Sequence, residues 1–258
     1  MPIHPTAIVD ASARVSESAE VGPFCIIGED VEIGAGTRLM ANIFVEGPTI
    51  IGRNNEFYPY STVGVAPQDL KYRGERSETR IGDRNRIREF VTIHRGTEGG
   101  GLVTSVGSDN LLMAYVHIAH DVRVGNRTVL ANGVTCGGHV VIGDWAVIGA
   151  FTGLHQFCRV GRHAMIGGYS VVTQDVLPFA TTVSTREMKT FGANATGLER
   201  REFSTGSIEA LQKAFRLLTR SGLNTSQAVE RIREEVEQTP EVTELLDFMA
   251  SSERGFVK

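Results

Sequence analysis

Hydrophobic residues recur every six positions over the first two thirds of this chain. From Ile3 to Leu177, most of the sequence divides into hexads that open with Ile, Val or Leu, often followed by Gly. Uninterrupted runs of these hexads cover residues 21–38, 124–141 and 142–171. A repeat this short cannot form a helix pair or a propeller blade, and it is typical of one flat side of a β-helical coil.

A small residue at the fifth position of the hexad accompanies the aliphatic first residue. Side chains alternate along a strand, so these two positions face the same side and together fill a narrow interior. Gly at the second position, with Asn, Asp or Gly at the third and fourth, favours a tight corner with positive φ. Three hexads close a triangular coil of 18 residues, and stacked coils form three parallel sheets. The small fifth residues include Cys25, Thr37, Thr49, Thr128, Cys158 and Ser170.

The six-residue count slips at two polar segments, residues 68–80 and 98–105. They predict loops thrown out from corners of the coil, where functional residues tend to concentrate. Insertions without a role are the alternative. We therefore expect residues 1–180 to form an all-β parallel β-helix that carries these two loops.

The hexads stop after Pro178, and residues 181–195 predict an irregular connector. From Ser204 the apolar period becomes helical and predicts three helices. The first ends near Gly222, the second is capped by Asn224 or Thr225, and the third starts at Pro240. Residues 181–258 are thus expected to form a connector and a C-terminal α-helical domain. The three apolar stripes are Ile208, Leu211, Ala214, Phe215 and Leu218; Ala228, Val229, Ile232 and Val236; and Val242, Leu245, Leu246 and Met249.

Composition narrows the setting of the protein. The 258 residues carry a net charge of −4, which argues against wholesale nucleic-acid binding. We find neither a signal peptide nor an apolar run long enough for a transmembrane segment, so we expect a cytoplasmic protein. Cys25 and Cys158 take the small inward position and Cys136 an aliphatic one. All three are expected to be reduced core residues and not nucleophiles.

Four of the seven histidines fall between residues 117 and 155. His120 is the third residue of its hexad, and the third positions of the next two coils are Gly138 and Gln156. His139 follows Gly138, and His155 precedes Gln156. Counting by 18 therefore stacks these residues at one corner of three successive coils, about 5 Å apart.

Such a corner can perform acid–base chemistry. An outward His is a good general base at neutral pH, and the neighbouring Asp121 could orient its ring, although adjacent residues on a strand face opposite ways. The Gly138 N–H could donate to a developing oxyanion. No Ser or Cys is stacked with the histidines, which favours direct transfer over a covalent intermediate.

Two other interpretations of the histidines stay open. Polar corner residues can simply be solvated. Three outward histidines on neighbouring coils also resemble the zinc site of the γ-class carbonic anhydrases, which share the hexapeptide helix. A structural zinc site is not expected without cysteine pairs, and the leading interpretation involves no metal and no cofactor.

An ordered set of motifs runs through essentially the whole chain: IHRGT (93–97), GSDNLLM (107–113), HIAHD (117–121), GNRTVLANG (125–133), GGHV (137–140), LHQFC (154–158), QDLKY (68–72), GDRNRIRE (82–89) and LERREF (198–203). Together they resemble the UDP-N-acetylglucosamine 3-O-acyltransferase family of lipid A biosynthesis. Parallel crossovers are right-handed in about 98% of cases, so the left hand of the coil is implied by this resemblance alone.

The resemblance implies a homotrimer with active sites between subunits. Its expected reaction moves a 3-hydroxyacyl chain from acyl carrier protein to the 3-OH of UDP-N-acetylglucosamine. His120 is implied as the general base, Asp121 as its partner and Gly138 as the oxyanion donor. Gly168 falls where the family sets acyl length. Implied substrate contacts are Asp69, Lys71, His117, His139 and Gln156, and the implied nucleotide-binding set is Asn194, Arg200 and Arg201.

Two positions depart from the family pattern. Residues 184–189 read STREMK where the family has a Gly-Asn-x-Ala run, and Thr196 replaces a Glu of the nucleotide site. Both lie near the expected uridine and sugar site. A 3-amino UDP-sugar acceptor, which would give an amide, therefore stays open beside UDP-N-acetylglucosamine.

Overall fold

The computed structural model describes residues 3–184 and 188–258. Short strands coil around a narrow core and pair in parallel, each mostly with the strand one coil away, to form three sheets. The first sheet contains β1 Ile8–Val9, β4 Ile26–Ile27, β7 Phe44–Val45, β10 Thr62–Val65, β13 Thr92–His94, β16 His117–Ile118, β19 Thr135–Cys136, β22 Gly153–Leu154 and β25 Val171–Val172. The second contains β2 Arg14–Val15, β5 Val31–Ile33, β8 Thr49–Ile51, β11 Glu78–Ile81, β14 Val103–Val106, β17 Arg123–Val124, β20 Val141–Ile142 and β23 Arg159–Val160. The third contains β3 Glu20–Val21, β6 Arg38–Leu39, β9 Glu56–Phe57, β12 Arg86–Ile87, β15 Leu111–Leu112, β18 Val129–Leu130, β21 Val147–Ile148, β24 Met165–Ile166, β26 Ala180–Ser184 and β27 Met188–Ala193.

The interior follows the large-plus-small rule of the hexad. From Val21 onward the aliphatic first residues are buried, as are the six small fifth residues named above, which have no exposed surface. Burial raises the pKa of all three cysteine thiols, that of Cys136 to about 12, so they are poor nucleophiles. Their predicted place in the core is confirmed.

The three corners of the coil turn differently from the prediction. Positive φ falls at the fourth hexad position, and residues other than Gly occupy it at most corners, for example Phe24 (58°), Trp145 (62°) and Phe157 (67°). Gly at the second position has another cause, the close approach of the next coil. A Cβ on Gly22 would lie 1.6 Å from the carbonyl oxygen of Met40.

Both slips in the count occur at the corner between the first and second sheets, here called the first corner. There β11 pairs with β8 at an offset of 30 residues, and β14 pairs with β11 at an offset of 25, instead of 18. One loop joins β10 to β11. The other joins β13 to β14 and contains a 3₁₀ turn at Glu98–Gly100. The two loops leave the coil directly before the histidine cluster.

The C-terminal part begins with an element that the sequence did not predict. Residues expected to be irregular form an antiparallel hairpin of β26 and β27, which extends the third sheet. The hairpin is followed by α1 Ala195–Glu199, α2 Thr205–Arg220, α3 Thr225–Glu235 and α4 Pro240–Ala250. The three longer helices match the prediction; Asn224 caps α3 through a capping box with Gln227, while Val236 lies just past its end.

His163 joins the helical part to the coil. It is 2% exposed, and its ring stacks between Trp145 and Phe179, at 5.8 Å from each, and meets Phe203 edge-on at 4.7 Å. Burial, assisted by the charges of Arg201 and Arg162, lowers its pKa to about 4.

The free energy of unfolding should therefore depend on pH through His163. The folded-state pKa lies below the ordinary value of 6.5, so the neutral ring stabilises the fold fully above about pH 6.5. This contribution, up to about 3 kcal/mol, is lost as the pH falls towards about 4. Urea unfolding of the wild type should lose more stability between pH 7 and pH 4 than unfolding of His163→Phe. Equal losses in the two proteins would contradict the assignment.

Candidate active site

The first corner holds the residues that counting by 18 predicts. The N–H of His139 donates to the carbonyl of His120 at 3.1 Å, and the N–H of Phe157 donates to the carbonyl of Gly138 at 3.0 Å. His120, Gly138 and Gln156 thus lie above one another in successive coils, and Asp121, His139 and Phe157 form the adjacent column.

His120 and Asp121 form a hydrogen-bonded pair. The sequence suggested opposite directions for two adjacent side chains, but Asp121 has a φ of 62° because it occupies the corner. Its Oδ2 therefore lies 2.7 Å from Nδ1 of His120. A carboxylate oxygen only accepts, so Nδ1 carries the proton and Nε2 is left as an acceptor. The His120 side chain is 13% exposed and that of Asp121 is 1% exposed.

Two threonines of the second loop region hold Asp121, and neither was predicted as a site residue. Thr97 donates to the carboxylate twice, from its backbone N–H to Oδ1 at 2.8 Å and from its hydroxyl to Oδ2 at 2.5 Å. The hydroxyl of Thr104 accepts from the backbone N–H of Asp121 at 2.7 Å. The sequence signals were that Thr97 ends the IHRGT motif and that both residues border or belong to the predicted loop at 98–105.

Gly138 lies directly under the His120 ring. A Cβ on Gly138 would come within 2.6 Å of Nε2 and 2.5 Å of Cε1 of His120, so any side chain would displace the ring. Among residues 3–184 and 188–258, no acceptor is found for the Gly138 N–H. This geometry leaves a backbone donor beside the basic nitrogen, as an oxyanion site requires.

Two cavities lie near the His120–Asp121 pair, one lined by His120 itself and the other by Thr97 and His139, which contact the pair. One has a volume of about 620 Å³ on the side of the first sheet, and its walls include His117, Gly138, Leu154 and Gln156. The other, of about 370 Å³, lies under the two loops, and its walls include Asp69, Lys71, Thr97, His139 and Phe157. Hollows beside the first coils and along α4, of about 690 and 800 Å³, contain none of these histidines.

Burial favours the neutral form of three histidines around His120. Burial lowers the pKa of His94 to about 4, and it also lowers the pKa values of His117 and His139. His117 shares a 2.7 Å hydrogen bond with the Thr92 hydroxyl, and its ring meets His94 edge-on at 4.8 Å. The ring of His139 stacks on Phe157 at 4.3 Å. In the neutral form these rings place no second imidazolium charge beside His120.

The C-terminal residues add an arginine that the sequence analysis missed. Asp175 and Phe256 form a short parallel bridge beside the last coil, in which the N–H of Val257 donates to the carbonyl of Asp175 and the N–H of Asp175 to that of Gly255, both at 3.0 Å. This places Arg254 at the first corner, where its guanidinium donates to the carbonyl of Gln156 at 2.9 Å.

The implied nucleotide-binding residues lie at another corner, between the second and third sheets. Asn194 caps α1 and donates to the carbonyl of His163 at 3.0 Å. Arg201 donates to the carbonyl of Trp145 at 3.0 Å and lies over its ring, while Arg200 is exposed. The second sheet separates these residues from His120, so a single chain does not bring the two sets together.

Gly168 lies at the remaining corner, between the third and first sheets. It is exposed, and a Cβ there would meet the carbonyl oxygen of Ala150 at 3.1 Å, a tight contact. Of the departures from the family pattern, Thr196 is exposed in α1, and residues 185–187 lie outside the described residues.

The residues that could bind zinc differ from the three outward histidines that the zinc hypothesis expects. The atoms that could bind a metal belong to His120, Asp121 and His139 and lie within 4.8 Å of one another. This set contains two histidines rather than three, and the carboxylate oxygens already accept hydrogen bonds from Thr97 and His120. No helix among the described residues has the length and apolarity needed to cross a membrane.

Comparisons with known proteins identify the family. A family model described as UDP-N-acetylglucosamine O-acyltransferase, domain 2, matches residues 175–257, and a model for bacterial transferase hexapeptide repeats matches residues 104–138. The UDP-N-acetylglucosamine O-acyltransferase of Moraxella catarrhalis is 44% identical with a TM-score of 0.95, and both chains are covered completely. The Bacteroides fragilis enzyme is 40% identical with a TM-score of 0.97, over 99% of this chain and 100% of that one.

The LpxA structure from Acinetobacter baumannii gives the same picture, with 42% identity, a TM-score of 0.95 and complete coverage of both chains. These similarities confirm the predicted left-handed parallel β-helix with its C-terminal helical domain. They also confirm that the protein is an acyltransferase. The chain belongs to the family of UDP-N-acetylglucosamine O-acyltransferases that act in lipid A biosynthesis.

Proposed function

We propose that this protein transfers a 3-hydroxyacyl chain from acyl carrier protein to the 3-OH of UDP-N-acetylglucosamine, in the cytoplasm, with His120 as general base. The observation that carries the proposal is the His120–Asp121 pair beside the unpaired Gly138 N–H, with one cavity lined by His120 and a second lined by Thr97 and His139. One substrate would enter the cavity that His120 lines, and the other the cavity that reaches the pair through Thr97 and His139.

The geometry supports a direct transfer. Nε2 of His120 accepts the proton of the sugar hydroxyl as its oxygen attacks the thioester carbonyl. The carbonyl oxygen gains negative charge, and a hydrogen bond from the Gly138 N–H stabilises it. When the tetrahedral intermediate collapses, the C–S bond breaks and the leaving thiolate takes the proton from His120. The carboxylate of Asp121 stabilises the imidazolium between these two steps.

The two cavities differ in character in a way that suits the two substrates. The cavity under the loops carries Asp69, Lys71 and His139, which can hydrogen-bond a sugar. The other continues over the outer face of the first sheet, past Gly153 and Val171, towards Gly168. Gly153 has no side chain, and a Cβ there would meet no atom within 4 Å, so the sheet has a shallow groove suited to an acyl chain.

A homotrimer would unite the separated residue sets. Asn194, Arg200 and Arg201 lie at a different corner from His120, so in the proposed enzyme they serve an active site formed with a neighbouring copy. Two guanidiniums suit a diphosphate because each offers bidentate donors.

The substrates can be tested directly. Incubation with carrier proteins bearing 3-hydroxyacyl chains of several lengths, and with UDP-N-acetylglucosamine or its 3-amino analogue, should give an ester of the first sugar, identified by mass. Product with only the amino sugar would replace the proposed acceptor and make the enzyme an N-acyltransferase.

In the same assay His120→Ala should fold normally and lose about 10²- to 10⁴-fold in rate. Asp121→Asn should lose less of the rate. If His120→Ala kept more than a tenth of the wild-type activity, His120 would be excluded as the base.

Gly168 is expected to limit the length of the acyl chain. A Gly168→Met side chain would project from the corner between the third and first sheets over the end of the groove and shift preference towards shorter donors. Each buried methylene contributes about 0.8 kcal/mol, so a mismatch of several carbons should dominate selectivity. The measurement is kcat/KM for each donor, and an unchanged ranking would show that the groove ends elsewhere.

The acidic carrier protein is expected to dock on the basic face of α2. Arg216 and Arg220 are exposed beside Phe191, while Lys213 donates to the carbonyl of Glu235 at the end of α3. Charge reversal at Arg216 and Arg220 should raise the KM for the donor and leave that for the sugar nucleotide unchanged. Arg233→Glu, an exposed change on α3, is the matched control. Donor affinity should also fall with salt, because exposed charges are screened within about 10 Å at 0.1 M. A donor KM indifferent to reversal and to salt would place the dock elsewhere.

A further inference from the structure

We propose that the turn formed by residues 97–100 is a positioning device for Asp121, in which Thr97 fixes the carboxylate and Gly100 makes room for it. The proposal rests on the proposed function, because its consequence for rate passes through His120. It gives a role to the second loop, whose residues touch neither the basic nitrogen of His120 nor Gly138.

Thr97 donates both of its polar hydrogens to the Asp121 carboxylate. Its N–H donates to Oδ1 and its hydroxyl to Oδ2, and the residue is 5% exposed. The hydroxyl therefore shares Oδ2 with the Nδ1–H of His120. A carboxylate held at both oxygens cannot rotate, so the direction of the His120 ring is fixed as well.

The three glycines of the loop differ in what they allow. A Cβ on Gly100 would lie 1.9 Å from Cγ of Asp121, a distance that no real contact permits. Gly101 adopts a φ of 88°, which favours Gly at this position. A Cβ on Gly99 would meet only the Thr97 hydroxyl, at 3.9 Å. Only Gly100 is therefore tied sterically to Asp121.

The same loop also anchors the backbone of Asp121. Thr104 lies in β14, directly after the loop, and its hydroxyl accepts a hydrogen bond from the Asp121 N–H. Both ends of the loop thus bind Asp121: Thr97 binds its side chain, and Thr104 binds its main chain. A loop that served only to wall the sugar cavity would not need both contacts.

The matched control is Thr128. Its N–H and its hydroxyl both donate to the side-chain oxygen of Asn110, at 2.7 and 2.8 Å, and it is fully buried. Thr128→Val therefore removes the same kind of hydrogen bond from the same kind of site, far from the chemistry. It should lower stability and leave kcat unchanged.

Thr97→Val should lower kcat by about 10- to 100-fold, the usual effect of a misplaced catalytic group. The KM for the acyl donor and the KM for the sugar nucleotide should each change by no more than about twofold. Thr97→Ser keeps the hydroxyl and should restore most of the rate. In an Asp121→Asn background, Thr97→Val should have little further effect, because the two residues act through one contact. Full activity in Thr97→Val, no rescue by Ser, or losses that multiply with Asp121→Asn would overturn the proposal.

A measurement without substrate separates this proposal from the proposed function. Nitrogen-15 NMR of the imidazoles should report His120 as the Nδ1–H tautomer in the wild type and in Gly99→Ala, and a mixture of tautomers in Gly100→Ala and Thr97→Val. An unchanged His120 signal in both latter variants would refute the positioning role. A fully active His120→Ala would refute the proposed base while leaving the tautomer result to stand by itself.

Discussion

The hydrogen bond between successive coils at each corner is the constraint on which the rest of the structure depends. At these corners the N–H of a fourth-position residue donates to the carbonyl of the third-position residue one coil earlier, as in Trp145 to Asn126 at 2.8 Å and His139 to His120 at 3.1 Å. This bond holds corners in register, so residues 18 apart become neighbours. His120 and Gly138 can cooperate only because the corners do not slip past one another.

The same corner geometry carries a cost that also serves the chemistry. A left-handed conformation costs a residue other than Gly roughly 1–2 kcal/mol. Along the corner of Gly168, stacked rings offset part of it: Tyr60, Phe90 and Tyr115 lie 5.1 and 4.9 Å apart, a geometry that contributes about 0.5–1.5 kcal/mol per pair. At the first corner the left-handed turn at Asp121 returns its carboxylate to the ring of the preceding residue. A strand could not place adjacent side chains in this way.

The sequence predicts those features that follow from counting. A period of six decides which residues face inward, which corners align, and hence that His120, Gly138 and Gln156 stack. The helical stripes and the caps are local as well, so α2, α3 and α4 were foreseen. The hairpin of β26 and β27 was not, because its strands depend on the exposed edge of the third sheet and show no hexad pattern. Contacts made by segments outside the repeat, such as Thr97 with Asp121 and Arg254 with Gln156, leave no periodic signal. The location of Asn194 and Arg201 at a different corner follows only from the path of the chain after the last coil.

The breaks in the repeat are as informative as the repeat. A regular coil presents a flat corner to solvent, and a flat corner can align an acid, a base and a donor but cannot enclose a substrate. Strand residues cannot be inserted without breaking the core, so additional chain can leave only at corners. Here it leaves at the first corner in the two coils immediately before His120, which builds the walls of the smaller cavity and brings Thr97 onto Asp121. The coil therefore supplies alignment, the insertions supply enclosure and orientation, and both are required where they coincide.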